Sequence, residues 1–148
     1  MKQADDWLDA AYRKTSYWVV EGLVESNAPM VLRVDQPCPQ GFGNLVGASP
    51  WAVLTACNPG SRPLDSLANA NLFQGLRQKL DQMTLQHLAV AGLDPESGWV
   101  EPMVLVWPMK LDRAIEFAQE LGQRALLAAK PEDSDCLEGV AGLFYTGL

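Results

Sequence analysis

The residues of this chain best suited to chemistry are Asn58, Ser61, Arg62, Asn69, Trp99, Glu101 and Gln123. Ser61 and Arg62 stand just before a helix start, where backbone N–H groups and a guanidinium together attract an anion; a solvated arginine is the plainer alternative. Glu101 precedes Pro102, which holds it extended, so it reads as a carboxylate base or as a partner for Arg62 or for backbone donors. The amides of Asn58, Asn69 and Gln123 suit a polar ligand. Against that, an Asn-Pro-Gly-Ser turn lets Asn58 bond local backbone, and Gln123 can satisfy carbonyls left open at a helix end. Trp99 offers a stacking wall, or a lid over the core. His87 is the only histidine and falls at the opposite edge of its strand, so no Ser-His-Asp, Cys-His or His-rich metal set forms around these residues. Cys57 adjoins Asn58, but without a histidine it reads as a small buried thiol. No metal and no cofactor are expected.

Residues so far apart need a scaffold to meet. Ala4, Trp7, Leu8 and Ala11 repeat at helical spacing, and Arg13 and Lys14 suit the end of such a helix, so the chain opens with an amphipathic helix. Tyr17 to Val20 and Met30 to Val34 flank a turn at Ser26-Asn27-Ala28-Pro29 and read as an antiparallel hairpin. Residues 36–50 are rich in proline and glycine and read as a long loop, whose Gly-Phe-Gly earns no phosphate role. From Trp51 onward the pattern is regular. Trp51 to Ala56 is a strand. Asp65 or Ser66 caps a helix with Leu72, Leu76, Leu80 and Met83 on its buried stripe. Leu88 to Ala91 and Met103 to Trp107 are strands, and Asp112 caps a second helix that ends at Gly122. Arg124 to Ala129 is a strand, an acidic turn Glu132 to Asp135 follows, and Leu143 to Thr146 closes the pattern.

Residues 51–129 therefore run β-α-β-β-α-β, a ferredoxin-like core of α+β class, with an added N-terminal helix and β-hairpin. In that topology the end of the first strand, the loop between the second and third strands, and the start of the fourth lie at one edge. That rim collects all seven candidate residues, and loops on a rigid scaffold are where binding groups sit. The strands do not alternate apolar with polar, so both sheet faces are buried. Two helices cover one face; the N-terminal helix, through Trp7 and Leu8, is the expected cover of the other, ahead of the long loop, the C-terminal tail or a second subunit.

Composition sets the outer bounds. The chain has 148 residues with 48% hydrophobic content, which describes a single domain over 1–148 with a real core rather than a disordered segment. Its 18 acids against 11 bases, net charge −7, provide no cationic footprint for nucleic acid. Apolar runs such as Met103 to Trp107 are strand length, far below the roughly 20 residues of a membrane span. Acidic residues occupy the place of a signal peptide's apolar stretch, and Cys38, Cys57 and Cys136 are scattered, so reduced thiols and a cytoplasmic location are expected.

At these residues the sequence also resembles a family. Thr55-Ala56-Cys57-Asn58-Pro59-Gly60-Ser61, Asn69, Trp99-x-Glu101-Pro102 and Gly122-Gln123-x-Ala125 resemble a bacterial family catalogued as domain of unknown function 3293. The resemblance extends upstream through Tyr12-Arg13, Tyr17 and Leu32-Arg33-Val34, so it spans roughly Tyr12 to Ala129. The family usually carries Trp where Cys57 stands, which counts against a nucleophilic role for that thiol. It has no assigned activity, so the resemblance implies a fold outline and a residue set rather than a reaction. The function expected is binding of a small polar or anionic ligand at the rim. The alternatives are a protein-interaction or homodimerisation module, and an enzyme using Glu101 as general base.

Overall fold

The β-rich runs pair into one seven-stranded antiparallel sheet, interleaved with helices. The computed structural model describes residues 2–21, 29–130 and 139–148. The acidic turn, Cys136 and all of the expected hairpin turn except Pro29 lie outside them. In chain order the elements are α1 (Lys2–Lys14), β1 (Ser16–Val19), β2 (Met30–Leu32), α2 (Phe42–Val46), β3 (Ala52–Leu54), α3 (Ser66–Gln82), β4 (Gln86–Leu93), β5 (Val100–Trp107), α4 (Leu111–Glu120), β6 (Ala125–Ala129) and β7 (Ala141–Tyr145). The order across the sheet is β2-β1-β4-β5-β3-β6-β7, with every neighbouring pair antiparallel. The molecule is thus of mixed α+β class.

The sheet curls until its two ends meet. Beyond β2, Asp35 N–H donates to Ala141 O at 2.8 Å, and Pro37 bridges Val140. Alternate residues of each central strand then enter two separate cores. Val53, Met103, Leu105 and Leu127 pack inside the curl with Tyr17, Leu32, Phe42 and Trp51. Ala52, Leu54, Val104, Val106 and Leu126 pack outside it against Leu76 and Leu80 of α3 and Ala114 and Phe117 of α4. Strands buried on both faces need no polar alternation, which is why the apolar runs are unbroken.

The second face is therefore covered by the curl itself, and the expectation for α1 is corrected. The hairpin β1–β2 folds over it, and α2, hidden in the loop-rich stretch, inserts Phe42 and Val46. Phe42 meets Trp51 edge to face with ring centroids 5.1 Å apart. From α1, Leu8 is buried while Trp7 stays 54% exposed. The helix lies at one end of the curl. Tyr12 Oη donates to Ala125 O at 3.2 Å, Arg13 pairs with Asp35 at 2.6 Å, and Lys14 reaches Glu96 at 3.3 Å. Topology explains this position: Ser16 pairs with Leu93, so β1 starts where β4 ends, and the helix before β1 emerges there.

Two further details differ from the pattern. On α3 the Asp65 cap holds, its Oδ1 accepting from Ala68 N–H at 2.7 Å, but Leu72 is exposed and Phe73 packs in its stead. On α4 the N-cap is Lys110, and Asp112 sits inside the first turn, accepting from Arg113 N–H at 2.8 Å. A carboxylate one residue inside the helix meets the same positive end of the dipole as a cap would, so sequence pattern alone does not separate the two positions.

Candidate functional site

A cavity of about 310 Å³ opens at the edge where β3 ends. Antiparallel pairing puts the end of β4, the starts of β5 and β6, and the N-terminus of β1 at that edge. Of the seven expected residues, Asn58, Ser61, Trp99, Glu101 and Gln123 line this cavity. Arg62 and Asn69 do not. Arg62 is exposed beyond the turn, and Asn69 is buried behind Asn58. The reason for Asn69 is its place on the first turn of α3, which faces the back of the Asn-Pro-Gly-Ser turn.

The floor of the cavity is a braced amide. Asn58 takes a left-handed conformation, φ 48°, which asparagine tolerates better than most residues. Its Oδ1 accepts from Leu64 N–H at 2.9 Å and from Asn69 Nδ2 at 2.8 Å, while its own N–H donates to Asn69 Oδ1 at 3.0 Å. With Oδ1 committed to two donors, the amide can only point its Nδ2 the other way, where it donates to Glu101 Oε1 at 2.8 Å. Ser61 is also left-handed, φ 61°. Two non-glycine residues in that region within one turn mark a backbone that the surroundings hold in place.

The Gly122-Gln123 pair locks this turn to the start of β6. Gly60 N–H donates to Gly122 O at 2.7 Å, and Gln123 Nε2 donates to Cys57 O at 2.9 Å. Gly122 has φ 73°, and a Cβ there would stand 3.0 Å from Pro59 Cβ, so the close approach of the two turns requires glycine. The structural reading of these motifs holds, since the amides of Asn58 and Gln123 both bond within the fold. Asn69 and Gly122 are framework, whereas Asn58 and Gln123 are framework residues that also face the cavity.

Glu101 is the expected carboxylate of this edge. It belongs to β5, opposite Gly92 on β4, and both line the cavity with Met103, whose Cε stands 2.7 Å from where a Gly92 Cβ would lie, so the thioether fills the place of the missing side chain. Burial raises the Glu101 carboxyl above its usual range, although the Asn58 amide and the nearby Thr55 hydroxyl favour the charged form. No Lys, Arg or His among the described residues forms an ion pair with it. Asp94, the other lining carboxylate, is held below its usual range, first by the Glu96 N–H, and Lys14 stands 3.5 Å away. Cys57 is buried, with Sγ 3.5 Å from Pro102 O, and burial pushes its thiol up to about 11, which suits a packing role and not a nucleophile. His87 pairs with Asp81 at the other end of β4, away from the cavity.

Sequence reasoning missed the wall that α1 and β1 supply. Trp7, Tyr12, Thr15 and Tyr17 all line the cavity, so Trp99 is not the one tryptophan at the rim. Burial and the Glu101 charge both raise the Tyr12 hydroxyl well above its usual range. The pairing of β1 with β4 would have placed α1 at this edge, but neither strand carries a local signal for its partner.

No helix among the described residues is long and apolar enough to cross a membrane, and these residues hold no group of three or more His, Cys, Asp or Glu side chains placed for a metal ion. No curated protein and no solved structure matches the chain. The upstream part of the resemblance, Tyr12 to Val34, lies outside the segment that a family model matches. Residues 54–126, running from the last residue of β3 into β6 and carrying Asn58, Asn69, Glu101 and Gln123, match the family described as Protein of unknown function (DUF3293).

Proposed function

We propose that the cavity beside Glu101 binds a small polar ligand. The observation that carries this reading is a half-buried carboxylate facing a cavity without a cation among the described residues to pair with it. Desolvating a carboxylate is unfavourable unless something compensates, and the Asn58 amide and the Thr55 hydroxyl are partial compensation. A ligand completes it. The volume, about 310 Å³, falls at the small end of ligand pockets, roughly 300–1,000 Å³, and fits a metabolite-sized molecule. The ligand-facing set is Asn58, Ser61, Trp99, Glu101 and Gln123, with Asn69 bracing Asn58 and Arg62 outside the cavity.

A thermal-shift screen against metabolite mixtures tests this. A hit should raise the melting temperature of the native protein and lose its effect in Glu101→Gln and Trp99→Ala. A hit that shifts both variants as it shifts the native chain would remove the cavity from consideration. The raised Glu101 carboxyl supports a second reading, a general base, because proton-transfer groups work best near the ambient pH. Under that reading Glu101→Gln would abolish turnover while a neutral ligand still bound.

The architectural reading behind the site is that β3-α3-β4-β5-α4-β6 forms a ferredoxin-like unit. The strand order β4-β5-β3-β6 and the packing of α3 and α4 on one face support it. The buried thiol of Cys57 supports a reducing, cytoplasmic setting. Trp7 and Trp99, the exposed tryptophans among the described residues, line the cavity, which favours a ligand over a homodimer contact as the reason for their exposure.

A further inference from the structure

Accepting that the cavity is a ligand site, its polar atoms restrict the chemistry of the occupant. The lining residues include two carboxylates, Glu101 and Asp94, and no Lys, Arg or His among those described. Lys14 already stands against Asp94, so Glu101 is the unmatched charge. Gln123 uses Nε2 on Cys57 O and Leu121 O, at 2.9 and 3.4 Å, which leaves its Oε1, an acceptor, without a hydrogen bond among the described residues. Asn58 spends Oδ1 on two internal donors and Nδ2 on Glu101. The Thr15 hydroxyl donates back to Ala11 O at 2.7 Å. The Ser61 hydroxyl and the indole N–H groups of Trp7 and Trp99 belong to the lining as well, so the donors on offer to an acceptor are neutral while the unmatched charge is negative.

An anion here would face Glu101 across a partly dehydrated gap with no counter-charge, and that repulsion grows as water is excluded. A cation gains from the same geometry twice. It neutralises Glu101, and it finds the indole faces of Trp7 and Trp99, 54% and 50% exposed, at the cavity wall. Tyr12 and Tyr17 add aromatic surface on the α1 and β1 side.

We propose that the ligand is a small organic amine bound as its ammonium, with N–H groups directed to Glu101 and Gln123 Oε1 and an apolar or aromatic body against Trp7 and Trp99. This assignment replaces the anionic ligand expected from Arg62, whose guanidinium lies outside the cavity.

Benzylamine, benzyl alcohol and benzoate carry one ring with a cationic, neutral or anionic head, and they separate charge from shape. Binding is read by calorimetry and by tryptophan fluorescence on the native protein, Glu101→Gln and Trp99→Ala. Benzylamine should bind about tenfold or more tightly than benzyl alcohol, and benzoate should not bind. Glu101→Gln should bring benzylamine down to the level of benzyl alcohol while the protein melts no lower than the native chain. Trp99→Ala should weaken both. Benzyl alcohol or benzoate binding as tightly as benzylamine would overturn the amine assignment and leave the ligand site standing. No saturable binding by any of the three would overturn both.

Discussion

Glu101, through its raised carboxyl, should give the fold a pH dependence that denaturation can measure. Its carboxyl is raised above the unfolded value of 4.5, so the folded chain holds the proton more tightly than the unfolded chain. The associated stability is present at acid pH and is lost as pH rises through the folded value. The neighbouring titratable groups, Tyr12, Tyr17 and Cys57, are themselves raised by burial and stay protonated across that range. Glu101→Gln keeps an acceptor for Asn58 Nδ2 and removes the half-buried charge. It is expected to raise Tm at pH 7 by about 2–4 °C, equivalent to ~1 kcal/mol in a domain of this size, and to flatten the pH dependence between acid and neutral. Asn58→Asp does the reverse. It replaces the amide donor by a second carboxylate beside Glu101, so equilibrium denaturation should show a loss of about 2 kcal/mol at pH 7 that shrinks on acidification. Cys57 should resist iodoacetamide in the native protein and react only on unfolding, since its thiol is both covered and pushed up to about 11.

At the scale of elements, two turns hold the site together and a short helix fills the inner core. Gly122→Ala forces a Cβ onto Pro59 at a residue with φ 73°. Urea denaturation should report a loss of about 1–3 kcal/mol, with weaker ligand binding because the Asn58 turn is displaced. Phe42→Ala on α2 empties a fully buried site inside the curl and should cost about 3–5 kcal/mol without touching the cavity. Most of the elements were legible in the sequence. Asp65 at the start of α3 and Gly122 at the end of α4 carry local chemistry that works the same way in any fold. The helix α2 was not legible, because glycines and prolines punctuate residues 36–50 as a loop would, and only the packing of Phe42 on Trp51 settles its form. The Leu72 position was misread because Phe73, one residue on, reaches the same groove.

The whole molecule decides what the cavity contains. Nothing near Trp7 or Tyr12 in the chain refers to Asn58 or Glu101, yet the pairing of Ser16 with Leu93 carries α1 across that edge. Leu8→Ala should loosen this wall, with a loss of about 2–3 kcal/mol in denaturation and a matching loss of ligand affinity. The sequence by itself determined the α+β class, the strands buried on both faces, the capped helices and five of the residues that line the cavity, because each follows from local propensity or from periodicity. Only the tertiary structure decided that the sheet curls to bury its own second face. It also decided that Arg62 stands outside the cavity and Asn69 behind it, and that Glu101 shares its cavity with aromatic residues from α1 and β1. These outcomes depend on strand partners far apart in the chain, and pairing across such distances is set by the packing of the whole core.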